Sequence, residues 1–421
     1  MASPSLPRTA SEANNCGGSS TTPPVAEDSF LLPEHLLYEI LPRLPAKPLC
    51  RLRAVCRSWR SLVSDSSFVA AHKARHHHLL VADFRLEMSV AARQVRLVDF
   101  HILDSSGQRV RQMRFDNPQE ENLYWELAYS NHDQLLCLVG ADKHAYVIDP
   151  ATGVFSLLPD EHLEQYENCS TRFALGRSFT TGETKVLAMA QSYGKAPLCK
   201  ILTLDDAAGE WRETGSPPPP PPNSFFVPCS KLVALVKGIL YLLAYDYDYS
   251  GKHIVTYNLD EENWRPDLLH LPLPVMPVKG AIALAELSDS LVVVYGPNNN
   301  PNHTSDVFID LNHTSDVFMD LWYLTDAEKV VWSKRYTIAM PYQGCQSRCE
   351  PSWGYPLWEL DDGRIVLWLS LPRYWNGQET RRQVKLLRVY DPRTNTCTDQ
   401  VEMSGHAMIG VYKGSLLAGL P

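Results

Sequence analysis

No Gly-x-Ser-x-Gly elbow, phosphate-cradling glycine loop or dinucleotide fingerprint occurs in the 421 residues, so three common routes to catalysis are not written in the sequence. Long apolar runs are also lacking. The longest, KLVALVKGILYLLAY, is interrupted by Lys237 and is too short to span a bilayer, and no apolar core of the signal-peptide kind follows Met1. Neither secretion nor membrane insertion is therefore expected. The ten cysteines (Cys16, Cys50, Cys56, Cys137, Cys169, Cys199, Cys229, Cys345, Cys349, Cys397) show no repeated spacing, and Cys345 and Cys349 miss the Cys-x-x-Cys step of a zinc site. Most are expected to be reduced, small apolar core residues. The sequons at Asn168, Asn302 and Asn312 then carry no weight. An overall basic excess is missing too: the net charge of −9 gives no case for nucleic-acid binding.

What is present is enough for a core of ordinary size, with 44% hydrophobic residues in a length that allows two or three domains. Residues 1–29 mix Ser, Thr, Pro, Gly and Asn with few large apolar side chains, and they read as a disordered tail that cannot offset the entropy of ordering. Charge is unevenly spread. Between Leu32 and Arg75, eight basic residues (Arg43, Lys47, Arg51, Arg53, Arg57, Arg60, Lys73, Arg75) face only Glu34, Glu39 and Asp65, which leaves this stretch at +5 and the rest at −14.

That basic stretch, LLPEHLLYEILPRLPAKPLCRLRAVCRSW and the residues after it, reads as three short helices. Pro33 suits a first helical position, where its missing N–H costs nothing, and Leu36, Leu37, Ile40 and Leu41 repeat at helical spacing. Pro42 should stop that helix. A second is expected from Pro48 with Leu49 and Leu52, and a third from about Arg57 with Trp59, Leu62 and Val63. Each is too short to be stable alone in water. A module of roughly 45 residues also lies near the lower limit for independent folding, so part of its apolar surface must meet another surface.

From about Leu79 the texture changes to β-branched and aromatic runs separated by turn residues. One phrase recurs: an apolar strand, an Asp-led turn, then another strand, with the marks at Asp104, Asp149, Asp205, Asp260, Asp326 and Asp391. Asp side chains bond the turn backbone, and Gly153 or Gly209 can take a positive φ without steric penalty. The marks lie 45, 56, 55, 66 and 65 residues apart, loose for propeller blades of roughly 40–50 residues. Two excesses have visible causes: the prolines from Pro217 to Pro222, and the tandem copies NHTSDVFIDL and NHTSDVFMDL. Ten is even, so either copy could present the same residues inward, and one is expected in the ladder while the other loops out. The proline run reads as an extended spacer, with a ligand for an aromatic-groove domain as its alternative.

Six such units suit a ring, because radial closure removes exposed sheet edges. The fold class expected is α+β multidomain: a short three-helix module, then an all-β domain forming a six-bladed β-propeller. The segment AMIGVYKGSLLAGL is expected to close the ring on the first unit. A pair of β-sandwiches remains the alternative.

Residues 32–72 closely resemble the F-box motif of plant F-box proteins, with a Leu-Pro opening, Leu and Ile-Leu on the first helix, Leu-Pro before the second, then Val-Cys and Ser-Trp before the third. Pro42 and Pro48 depart from the usual pattern, where a polar residue is more familiar. Residues from about 79 onward resemble, more weakly, the F-box-associated β-propeller of the same family, through QLLCLVGADKHAYVIDPATGVFSLLP, FTTGETKVLAM, HIVTYNLDEENWRPDLLHLPLP and LLRVYDPRTNT. Kelch and WD-repeat rings fit less well, since the only Gly-Gly lies in the tail and no Trp-Asp pair occurs. The domains expected are a tail at 1–29, an F-box at 30–72, a junction at 73–78 and the propeller at 79–421.

The resemblance implies docking on a Skp-type adaptor, and through it on cullin and RING subunits, with the ring capturing a protein substrate in the cytoplasm or nucleus. It implies no cofactor, nucleic acid or membrane. Carried over by position, Leu32, Pro33, Leu36, Ile40, Leu41, Leu44, Pro45 and Leu49 form the adaptor-facing set, while Leu52, Val55, Trp59 and Leu62 pack the module itself. Six such side chains would contribute about 10 kcal/mol gross, comparable with the cost of association, so basic residues steering toward an acidic partner are needed as well. Exposed aromatics in loops at one rim, with Tyr245, Tyr247, Tyr249, Trp353, Tyr355, Tyr374 and Trp375 as candidates, are expected to hold the substrate; inter-blade packing is the competing role for each. An F-box scaffold that never engages cullin, or a propeller enzyme, are the other functional readings. For the enzyme, DYDYSGKHIVTY starts like a calcium loop at Asp246 and Asp248 but has Tyr257 where Glu is needed, and Asp361-Asp362-Gly363 reads as a hairpin turn. His76, His77 and His78 cannot all reach one ion from regular structure.

Overall fold

The computed structural model describes residues 34–44, 46–75, 78–85, 97–103, 108–116, 125–127, 129–131, 135–140, 144–150, 152–159, 170–191, 198–204, 209–214, 224–226, 232–246, 252–273, 282–298, 317–340, 353–375, 378–404 and 407–412. The tail, Pro45, Asp104, Asp205, the proline run, the first of the tandem copies and the three sequons lie outside them.

Four helices come first: α1 (Glu34–Ile40), α2 (Ala46–Leu52), α3 (Arg57–Ser64) and α4 (Ser66–Arg75). The α-helical hydrogen bonding of α1 ends before Pro42, and the chain tightens into a 3-10 turn, Leu41–Arg43, as a proline lacking an N–H demands. Two expectations need correction. Helix α2 begins at Ala46, with Pro48 inside its first turn, where the backbone N–H has no helical partner to lose. A fourth helix, not foreseen, starts because Asp65 sits in extended conformation and its Oδ1 accepts from the N–H of Ser67 at 2.9 Å and of Phe68 at 3.2 Å.

The strands form six sheets, hereafter blades one to six. Blade one orders Ala407–Tyr412, His78–Arg85, Leu97–Leu103 and Arg109–Asp116. Blade two orders Trp125–Leu127, Leu136–Gly140, Ala145–Ile148 and Phe155–Leu157. Blade three runs Ser170–Arg177, Thr184–Gln191, Leu198–Thr203 and Arg212–Glu213, with Tyr129–Asn131 added in parallel on its first strand. In blade four, Val233–Val236, Ile239–Asp246, Lys252–Asn258 and Asn263–Trp264 are joined by the short strands Ser224–Phe226 and Leu269–His270. Blades five (Ile282–Leu287, Ser290–Asn298, Val317–Asp326, Val331–Met340) and six (Trp353–Glu359, Ile365–Trp375, Gln378–Asp391, Thr396–Ser404) are plain four-stranded meanders. The last described strand closes the ring as expected, pairing Leu79 with Val411 and Val81 with Ile409.

Each sheet is buried on both faces, and period two divides its side chains between two neighbours. Val292 and Val294 pack toward blade six, whereas Val293 packs toward blade four. Likewise Phe173 and Leu175 meet blade two while Ala174 meets blade three's other neighbour, blade four. Blades six and one share Trp368, Leu387 and Leu103, and blades one and two share Ile102, Met113, Leu136 and Ile148, which completes the circuit. These doubly buried strands explain why runs such as LVVVY lack polar alternation.

The four described Asp marks, Asp149, Asp260, Asp326 and Asp391, fall in the same place, at or just after the end of the third strand of their blades. Asp149 O accepts from Gly153 N at 2.7 Å, with Gly153 at φ +81°, and Asp326 Oδ1 accepts from the N–H of Glu328 and Lys329, both at 3.0 Å. Asp391 does the same for Arg393 at 2.9 Å. Asp260 differs: Asn258 caps its turn, and the Asp260 carboxylate instead reaches blade three. Of the tandem copies, the second supplies Val317 to Leu321 to the ladder.

Candidate functional site

The helices rest on the ring. One buried cluster holds Leu37 and Leu41 around α1, Leu49 of α2, Leu62 and Val63 of α3 and Phe68 of α4 together with Ile102, Met113, Leu136, Ile148 and Tyr412 of blades one and two. Within the module, Tyr38 packs edge-on to Phe68 with centroids 5.7 Å apart and donates to Asp65 Oδ1 at 3.2 Å. The hydroxyl of Ser67 holds the Asp65 carboxyl below its ordinary range, aided by the N–H of Phe68. Buried His72 ties α4 to the end of the 3-10 turn, its Nε2 3.0 Å from Leu44 O.

This seating sorts the expected adaptor-facing residues. Ile40 is 51% exposed and Leu36, one helical turn before it, is half-buried, so the two sit on the open side of α1. Leu44 is half-buried as well. Leu41 and Leu49 are corrected: at 5% and 0% exposure they fill the chain's own core and present nothing outward. Leu32, Pro33 and Pro45 lie outside the described residues. In the packing set, Leu62 is buried and Leu52 and Trp59 are half-buried against the same cluster, but Val55, in the turn after α2, is 63% exposed. The inward roles of Leu37 and Phe68 were missed, because neighbouring leucines carry no label saying which one a distant sheet will cover.

Four of the aromatic candidates fall at the other end of the ring. The helical module enters at the start of His78–Arg85, a second strand, on the end where the Asp turns lie. The ends of Ile239–Asp246 and Ile365–Trp375, and the start of Trp353–Glu359, lie at the opposite end. Tyr245, Trp353, Tyr374 and Trp375 therefore occupy strand ends remote from the helices, and Tyr247 and Tyr249 lie outside the described residues. Tyr355 is half-buried between blades five and six, which favours its packing role.

No metal-holding group of three His, Cys, Asp or Glu side chains occurs among the described residues. The calcium-like stretch joins two paired strands, with Tyr245 opposite Lys252, and Asp361-Asp362-Gly363 is a hairpin turn in which Gly363 N donates to Leu360 O at 2.8 Å. Burial alone pushes the Cys137 and Cys199 thiols up to about 12, so both are inert core groups. One charged constellation had no local signal. Lys185 is buried between blades three and four, 2.9 Å from both Glu262 Oε1 and Leu259 O, and Arg212 reaches the same Oε1 at 2.9 Å. All its cations are paired, so it braces the ring rather than offering a vacant pocket.

Comparison with known proteins adds two family matches: residues 30–70 fit the model described as F-box-like, and residues 88–409 fit the one described as the F-box associated beta propeller domain. An F-box/LRR-repeat protein of Arabidopsis thaliana is 23% identical over 380 residues, covering 85% of this chain and 79% of that one. A putative F-box protein of the same plant is 31% identical over 144 residues, 33% of this chain and 36% of its own length. Among solved structures, TolB from Acinetobacter baumannii aligns over 80% of this chain and 65% of that one, with a TM-score of 0.40 and 9% identity, too distant to inform function.

Proposed function

The chain belongs to the F-box-associated β-propeller family, with an F-box-like module ahead of its ring, and on that premise we propose that it is the substrate-recognition subunit of a Skp–cullin–F-box ubiquitin ligase. The helical module docks on a Skp-type adaptor, and the end of the ring remote from it takes a protein substrate. The chain supplies no catalytic group; it holds substrate lysines at high effective concentration near a ubiquitin-charged enzyme, in the cytoplasm or nucleus.

The observation that carries this reading is the open side of α1. Ile40 and Leu36 remain accessible although Leu37 and Leu41 are spent on the ring, so the module keeps an apolar strip that its own chain leaves uncovered. The same module exposes Arg43, Arg51, Arg57 and Arg60, which favour an acidic partner.

The test is co-purification of the full chain with adaptor and cullin, wild type against Leu36→Asp plus Ile40→Asp. Neither residue is fully buried, so the fold should survive while adaptor capture is lost. Undiminished capture by the double variant would rule the assignment out, and adaptor capture without cullin would make the protein a scaffold.

A further inference from the structure

One short strand sits where the axial channel of a propeller would run. Tyr129–Asn131 lies on the inner side of Ser170–Arg177, which is itself the innermost strand of blade three's own meander. From there it comes within 8 Å, Cα to Cα, of the innermost strands of two further blades, Val233–Val236 of blade four and Ala407–Tyr412 of blade one. A segment that belongs by sequence to blade two, yet neighbours the inner strands of blades one, three and four, has to cross the axis.

Its pairing has a simple origin. Only residue 128 separates it from Trp125–Leu127, which pairs antiparallel with Leu136–Gly140 in blade two. First strands of neighbouring blades run the same way about the axis, so the end of one that leans across meets the next in parallel. Tyr129, Ser130 and Asn131 accordingly stand opposite Ala174, Leu175 and Gly176. That is the end of Ser170–Arg177 on the side of the Asp turns and the helices. The hub is tight there: Ala174, Leu175 and Gly176 are all buried, and a Cβ on Gly176 would lie 2.8 Å from Leu235 Cδ2 and from Leu259 Cδ1 of blade four.

We propose that Tyr129–Asn131 is an axial strap, which shuts the ring's channel at the helical end and ties blade two, on which the helices rest, to blades one, three and four. This goes beyond the ligase reading and holds whether or not the helices bind an adaptor. A substrate segment enters the hub only from the mouth remote from the helices, and it cannot thread the ring. Capture then falls to that mouth and its rim.

The experiment is residue-resolved hydrogen exchange on the full chain, wild type against Ser130→Pro plus Asn131→Pro. Alternate residues of a strand donate to a given neighbour, so the pair removes a strap N–H in either phase. In the wild type, the bonded amides of Tyr129–Asn131 should exchange at least about tenfold more slowly than an unstructured chain. In the variant, exchange should rise among Ala174, Leu175 and Gly176 while the amides of Thr184–Gln191 stay protected, a sign that blade three is still folded. Unstructured-rate exchange of Tyr129–Asn131 in the wild type, or undiminished protection of Ala174, Leu175 and Gly176 in the variant, would overturn the strap. If the variant fails to fold, the wild-type measurement decides alone.

Discussion

Replacing Glu262 with glutamine takes one negative charge from beside Lys185, whose side chain is only 5% exposed. The Lys185 ammonium donates to Leu259 O at 2.9 Å and lies 2.9 Å from Glu262 Oε1, with Glu183 Oε2 farther off at 3.5 Å. At an effective dielectric constant of about 20, opposite charges at this separation attract by about 6 kcal/mol gross. Much of that survives the change in another form: the amide still accepts a hydrogen bond, Glu183 remains, and the partly exposed Glu262 is screened by water. The net loss should be about 2–3 kcal/mol, below the ~3–5 kcal/mol that baring a fully buried charge costs. Glu183→Gln is the comparison, since that carboxylate is more exposed and more distant, and it should cost under about 1 kcal/mol. Urea unfolding followed by circular dichroism reads both. An unmoved midpoint for Glu262→Gln, or equal losses in the two variants, would refute the claim that Glu262 is what keeps a charged lysine tolerable between blades three and four.

Acid should loosen the same boundary. Burial alone would raise the Asp260 and Glu262 carboxyls, but the Ser178 and Thr180 donors outweigh it for Asp260 and Lys185 outweighs it for Glu262, so both stay below their ordinary values. Groups depressed on folding add stability above their unfolded pKa and lose it as pH falls through the folded one, so the urea midpoint should be level above about pH 5 and decline below about pH 4. Gly238→Ala should destabilise by more than about 1 kcal/mol: Gly238 has φ +77°, and a Cβ there would meet Phe179 Cβ at 2.9 Å and Phe179 N at 3.1 Å. Thermal melting checks it, and an unchanged melting temperature would mean that the turn has room to adjust.

The propeller was legible because its signals are local. Asp149, Asp326 and Asp391 each bond their own turn, and β-branched runs such as LVVVY announce strands without reference to the rest of the chain. Helix α4 was legible in principle, through Asp65 ahead of Ser66 and Ser67, yet its low amphipathic contrast hid it. What could not be read was any contact made at long sequence separation. Leu36 and Leu37 are chemically identical, and blade one decides which of them is covered. Lys185 and Glu262 are 77 positions apart, and only the apposition of two blades makes them a pair. The same reason misassigned Leu41 and Leu49, whose helical spacing is equally suited to a foreign surface or to the chain's own sheet.

Because Tyr412 is fully buried in the core beneath the F-box helices, and Ala407–Tyr412 flanks the strand that follows them, the helices are completed by a strand more than three hundred residues farther along the chain. At translation rates of roughly 5–20 residues per second, the helices wait on the order of tens of seconds for that tyrosine to leave the ribosome. A nascent chain thus holds its helical module over an incomplete socket until Tyr412 has been made, and a message cut short before codon 407 yields a ring that cannot shut and an F-box without its floor.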